Sequence, residues 1–142
     1  MCLRDVTQQF DPPIEVEAYK FFWKRDGRYY GVWQNGGPYA LGEQIEADRE
    51  ENILTGRAFR SDTCSPPAVA SFYRTGFHAA KYIPRTKLWM LTYHPGFVCC
   101  LVRLRGVHTV GPDQFGPTYV GRYMTILKEV GIQDMSWEES CA

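Results

Sequence analysis

The residues of this sequence best equipped for chemistry are its arginines. Arg74, Arg85, Arg103, Arg105 and Arg122 lie in a stretch, residues 53–128, that holds ten Lys and Arg against two acids, Asp62 and Asp113. A guanidinium presents a planar fork that pairs bidentately with phosphate or carboxylate. This composition therefore offers recognition of anions rather than the making of bonds. Tyr119 and Tyr123 add phenol groups beside Arg122 and next to a segment rich in Gly and Pro. Phe59, Phe72, Tyr73 and Tyr82 supply rings on which a nucleobase could stack. The compensating acids cluster at Glu43–Glu51 and from Glu129 to Glu139, so the formal net charge is +0. Segregation of this kind predicts separate basic and acidic faces and a charged partner, either a protein or a ribonucleoprotein, with nucleic-acid contact. The plainer alternative is a solvated surface whose ion pairs contribute about 0 to 1 kcal/mol each.

Groups able to transfer protons are sparser. His78, His94 and His108 lack the paired spacing of a structural zinc site, so no metal is expected. Gly76-Phe77-His78-Ala79 could set an imidazole at a cleft, although a lone His at a strand end more often hydrogen-bonds to backbone. Cys64 sits in a Ser/Pro loop and Cys99 has no base beside it in sequence, which argues against a cysteine nucleophile. No G-x-x-x-x-G-K-[ST] loop is present. The middle of the chain has too few acids for a two-metal or glycosidase mechanism.

The elements that must position these groups read as an α+β domain, mainly an antiparallel sheet with an N-terminal hairpin and one or two helices. Two aromatic-rich runs between Glu17 and Trp33 flank Asp26-Gly27, which predicts a tight hairpin with Tyr19, Phe21 and Trp23 on its inward face. Glu43–Asn52 predicts at most a short exposed helix, and Thr55–Ala68 a surface loop. Val69–Ala79 reads as a strand, and Pro84 is placed to start a helix that buries Leu88, Leu91 and Trp89. From Leu101 the chain alternates, Leu101, Arg103 and Arg105 on one side and Val102 and Leu104 on the other, within a half-buried strand from Phe97 to Val110. Gly111–Pro117 reads as a loop and Tyr119–Val130 as the last strand.

A chain of 142 residues, 44% hydrophobic and 23% charged, predicts one globular domain over residues 1–142, with residues 1–16 as an extended N-terminal segment. No apolar run approaches the roughly 20 residues that span a bilayer, and the N-terminus does not read as a secretory signal. The expectation is a cytoplasmic protein without membrane contact. Five cysteines without a spacing framework predict free thiols, at least one of Cys99 and Cys100 acting as a small core hydrophobe.

Tyr39-x-x-Gly42, Gly76-Phe77-His78-Ala79 and Met124–Val130 together look like a layout found in small bacteriophage-type proteins. That resemblance implies a host-cytoplasmic binding protein without a cofactor, an inhibitor of a host defence complex. A strand leading to a helix after Gly76 also loosely resembles the ADP-ribosyltransferase fold, whose members bind NAD through an early Arg or His, a central Ser or Tyr and a late Glu. Glu129 is the late acid which that similarity implies, with His78 facing the same NAD pocket; the early basic and central hydroxyl positions have no counterpart here. Two readings follow. One is a non-enzymatic binder using Arg74, Arg85, Arg103, Arg105, Tyr119 and Arg122; the other is an NAD-binding transferase using His78 and Glu129.

Overall fold

The computed structural model describes residues 3–32, 36–47, 52–54, 72–83, 88–113 and 116–131. Eight strands and one short helix follow in order: β1 (Gln8–Arg25), β2 (Arg28–Gly31), β3 (Gln44–Glu46), β4 (Asn52–Leu54), β5 (Phe72–Arg74), β6 (Phe77–Ala80), α1 (Leu88–Tyr93), β7 (Phe97–Asp113) and β8 (Gly116–Glu129). The Asp26-Gly27 turn joins β1 to β2, with both residues at positive φ (51° and 74°), as a two-residue hairpin of this hand requires.

Three long strands make the frame. β1 pairs antiparallel with β7, β7 with β8, β8 with β6, and β6 returns to β1 through Tyr19 and Ala80, so the sheet closes on itself. The other edge of β1 carries β2, and β3 pairs with β8 opposite Tyr123–Thr125. β4 and β5 form a separate two-stranded sheet. Closure removes the exposed edge that a sheet of long strands would otherwise present. The main core fills the enclosed side: Ala18, Phe22, Cys100, Val102, Leu104, Val107, Met124 and Ile126 are all at zero exposure. Leu3, Tyr73 and Val120 form a second cluster, and Ile83 with Cys99 a third, joined by Tyr19, Phe21 and Leu91. Leu3 is thus packed into the body of the fold.

This is a β fold, which corrects the α+β expectation: α1 has six residues, and it is the only helix among the described residues. The misreading has a physical origin. Bulges in β1 between Gln9 and Val16 and in β7 between Val107 and Thr109 interrupt the two-residue period. Pro12 and Pro13 sit within the first of these irregularities, where the ladder is already broken and the missing N–H matters little. Pro112 and Pro117 face each other near the end of the β7–β8 hairpin, so the expected loop at Gly111–Pro117 is largely strand. The expected exposed helix at Glu43–Asn52 gives way to β3 and the start of β4. The Val69–Ala79 strand divides into β5 and β6. Pro84 and Thr55–Ala68 lie outside the described residues.

The inward face of the hairpin is also reversed. Ala18 and Phe22 face the main core, whereas Tyr19 and Phe21 pack on the smaller cluster around Ile83 and Cys99. The reason is Lys20. Its neighbours of like parity are core residues, but its ammonium is satisfied by donating to the His78 carbonyl at 2.7 Å, where β6 and β1 touch at a single pair. A lysine on that face disguised it as the outer one. Cys99 and Cys100 are both buried free thiols, and burial pushes both upward in pKa.

Candidate anion-binding site

A cavity lined by two arginines and a histidine lies beside the irregular stretch of β7 around Gly106–Thr109. At Gly106 the chain turns through φ 63°, and a Cβ there would stand 3.2 Å from the Arg122 Cβ. Glycine therefore lets β8 close against β7 at this point, and the buried parity switches across it, from Val102 and Leu104 to Val107 and Thr109. The space left beside the bulge has a volume of about 250 Å³ and is lined by Arg74, Thr75, Gly106, His108, Arg122 and Tyr123, with Pro13 and Ala47 at its margin. Two arginines and a histidine line it, and among the described residues no carboxylate does.

Each wall has a local cause. Arg74 ends β5, and Thr75-Gly76 carries the chain from the small sheet to the main one. Gly76 is held close to β8, since a Cβ there would run into the Gly121 carbonyl oxygen. Arg122 lies over the Tyr123 ring at 5.4 Å and donates from Nε (3.0 Å) and Nη2 (2.7 Å) to Oε1 of Glu46 on β3. That carboxylate orients the guanidinium without lining the cavity. His108 is held through Nδ1 against the Thr109 hydroxyl at 2.8 Å. Among the described residues no carboxylate comes within salt-bridge distance of Arg74, which is exposed.

The other arginines chosen from sequence are placed differently. Arg103 and Arg105 approach the same Glu15 carboxylate at 3.3 and 4.0 Å, and Arg105 also donates to Gln44 Oε1 at 3.3 Å. With Arg122 bound to Glu46, three of the arginines expected to form a separate basic face instead meet acids from neighbouring strands. Tyr119 packs its ring against the main core. Arg85 lies outside the described residues. Of the candidate binding set, the fold brings Arg74 and Arg122 together.

His78 and Glu129 belong to separate hydrogen-bonded groups and share no partner in them. His78 Nδ1 meets the Gly76 carbonyl oxygen and Nε2 the Tyr73 hydroxyl, both at 3.1 Å, while that hydroxyl accepts from the Leu3 N–H at 2.9 Å. A consistent assignment has Nδ1–H donating to the carbonyl and the phenol donating to Nε2. Burial, reinforced by the Lys20 charge, lowers the His78 pKa to about 3 and keeps the ring neutral. This is the structural role for a strand histidine. Glu129 takes Lys24 at 2.8 Å and the Tyr29 hydroxyl at 3.0 Å. The Lys24 hydrogen bond holds the Glu129 carboxyl below its ordinary pKa, while burial and then the Glu129 bond raise that of Tyr29. Neither His78 nor Glu129 lines the cavity. Among the described residues no three His, Cys, Asp or Glu side chains gather as a metal site, and no helix is long and apolar enough to cross a membrane.

Gly106, Thr75 and His108 were not legible in the sequence as parts of a site. The one available signal was Gly106 between two alternating arms, which marks a bulge or close approach in a strand. Neither a protein-family model, nor a curated protein, nor a solved structure matches this chain.

Proposed function

We propose that this chain is a non-enzymatic binding protein that takes an anionic group of a protein or nucleic-acid partner at the Arg74–Arg122 cavity. The observation that carries the reading is the convergence of those two arginines on one concavity that no acid among the described residues lines. Arg122 is pre-oriented by Glu46, so little rotamer freedom remains to be lost when a ligand arrives. Arg74 contributes an exposed fork suited to a phosphate or carboxylate. Arg103 and Arg105, already engaged with Glu15, stand outside this site.

The test is the paired substitution Arg74→Gln and Arg122→Gln, measured by fluorescence anisotropy against a labelled acidic peptide and a labelled RNA. Loss of about tenfold or more in affinity for one of these ligands, with a shallower salt dependence, is the expected result. Unchanged affinity for both ligands refutes the reading. The setting implied by the phage-type resemblance, inhibition of a host defence complex, supplies a cellular version of the test. A host complex that copurifies with the intact chain is then lost from the doubly substituted one.

A further inference from the structure

The β1–β2 hairpin carries a second concavity whose chemistry differs from the first. In the hairpin register Trp23 stands opposite Tyr30 and Arg25 opposite Arg28. Directly opposed residues and those two apart share a face, so two aromatic rings and two guanidinium groups lie on one side. The other side carries Phe22 and Tyr29 into the core, which leaves the Trp23 side turned outward. A cleft of about 370 Å³ opens there, lined by Trp23, Arg25, Tyr30, Val32, Gly36 and Gly37.

The cleft is built rather than incidental. Trp23 is held edge-on by Phe97 (centroids 5.2 Å, 62°) and His94 (6.3 Å, 88°), which fixes the indole. Glycine backbone also lines the cleft, tied to the hairpin where the Gly31 N–H donates to the Gly36 carbonyl oxygen at 3.0 Å. Gly37 has φ 103°, and a Cβ there would lie 2.7 Å from the Tyr29 carbonyl oxygen, so only glycine allows this approach. A cleft lined by an indole, a phenol ring and bare glycine backbone suits a flat, aromatic guest. Among the described residues no carboxylate lines it; Arg25 does, with Arg28 opposite it across the hairpin, and both are exposed.

We propose that this face binds single-stranded nucleic acid, one base entering the slot against Trp23 and Tyr30 while the flanking phosphates meet Arg25 and Arg28. An acidic peptide would satisfy the arginines but brings nothing flat to the slot, and a duplex keeps its bases stacked on one another. The inference goes beyond the Arg74–Arg122 reading and rests on different residues.

The experiment is fluorescence anisotropy of the full chain with a labelled oligothymidylate of about 12 nucleotides, a length within the range of small single-strand sites. Binding is expected, and Tyr30→Leu should weaken it about tenfold or more, as loss of one stacking partner does. Replacing Arg25 and Arg28 together with Gln should reduce the slope of log affinity against log salt by about 1.4, the value for two single-strand phosphates. Both arginines are exposed, so this variant reports on binding even if Tyr30→Leu perturbs folding. Tyr30→Leu should leave affinity for the labelled acidic peptide unchanged, which separates this cleft from the Arg74–Arg122 cavity. No binding to the oligothymidylate overturns the proposal. So does equal affinity for a duplex of the same length, or an unaltered salt slope in the Arg25/Arg28 variant.

Discussion

Lys20 provides the sharpest physical test of this fold. Its ammonium is drawn into the wall of the closed sheet and donates to the His78 carbonyl, and burial pulls its pKa from 10.5 to about 8. The folded state therefore favours the neutral amine, and between these two pH values the unfolded chain binds more protons than the native one. Stability from this group is greatest above the unfolded pKa and is lost as pH falls through about 8. A depression of this size corresponds to about 3 kcal/mol, reduced to about 2 because part of the side chain remains accessible to water. Lys20→Met removes the titration together with the hydrogen bond. Near pH 7 the two losses roughly offset: about 2 kcal/mol of charge burial relieved against about 1 to 3 kcal/mol for an unsatisfied carbonyl. Raising the pH to about 10.5 should then favour the wild type over the variant by about 2 kcal/mol more than near pH 7. Urea denaturation of both proteins across this range gives the difference directly, and all other titrating groups cancel in it. A difference that stays flat, or that shrinks as pH rises, refutes the placement of the ammonium in the sheet wall.

His78 acts on the acid side. Held neutral with a pKa of about 3, it should make the wild type lose about 1.4 kcal/mol of stability per pH unit below about 6.5, and His78→Gln should flatten that dependence in acid-titrated denaturation. Tyr73→Phe removes the hydroxyl that links the Leu3 N–H to His78 and should lower stability by about 1 to 3 kcal/mol in chemical denaturation, a larger loss than expected for an exposed tyrosine. Gly106→Ala forces a side chain onto φ 63° and against Arg122, and should lower the denaturation midpoint by an amount equivalent to about 1 to 3 kcal/mol. Glu129→Gln, by contrast, breaks a pair in which both side chains are more than a third exposed, and calorimetry should register no more than about 1 kcal/mol.

Some of this architecture was readable from local chemistry. Asp26-Gly27 between aromatic runs specified the hairpin, because few residue pairs accept two positive φ values in succession. The alternation of Leu101 to Arg105 put Val102 and Leu104 together on one side of a strand, and both lie at zero exposure. The extent of β1, β7 and β8 was hidden by prolines and bulges, which read as breakers in one dimension and are tolerated where the ladder is already irregular. The inward face of β1 was hidden by Lys20, whose burial depends on a carbonyl 58 residues away.

The site divides along the same line. Residue types and their order determined that arginine would dominate the middle of the chain and that no phosphate-loop motif was available. Only the tertiary structure decided which arginines meet acids and which meet each other. Arg122 finds Glu46 across 76 residues of sequence, Arg103 finds Glu15, and Arg74 comes to the same cavity as Arg122 without a carboxylate beside it among the described residues. Ion pairing acts over a few ångströms of space and takes no account of separation along the chain, so blocks of charge that look segregated in sequence interleave once antiparallel strands are laid side by side.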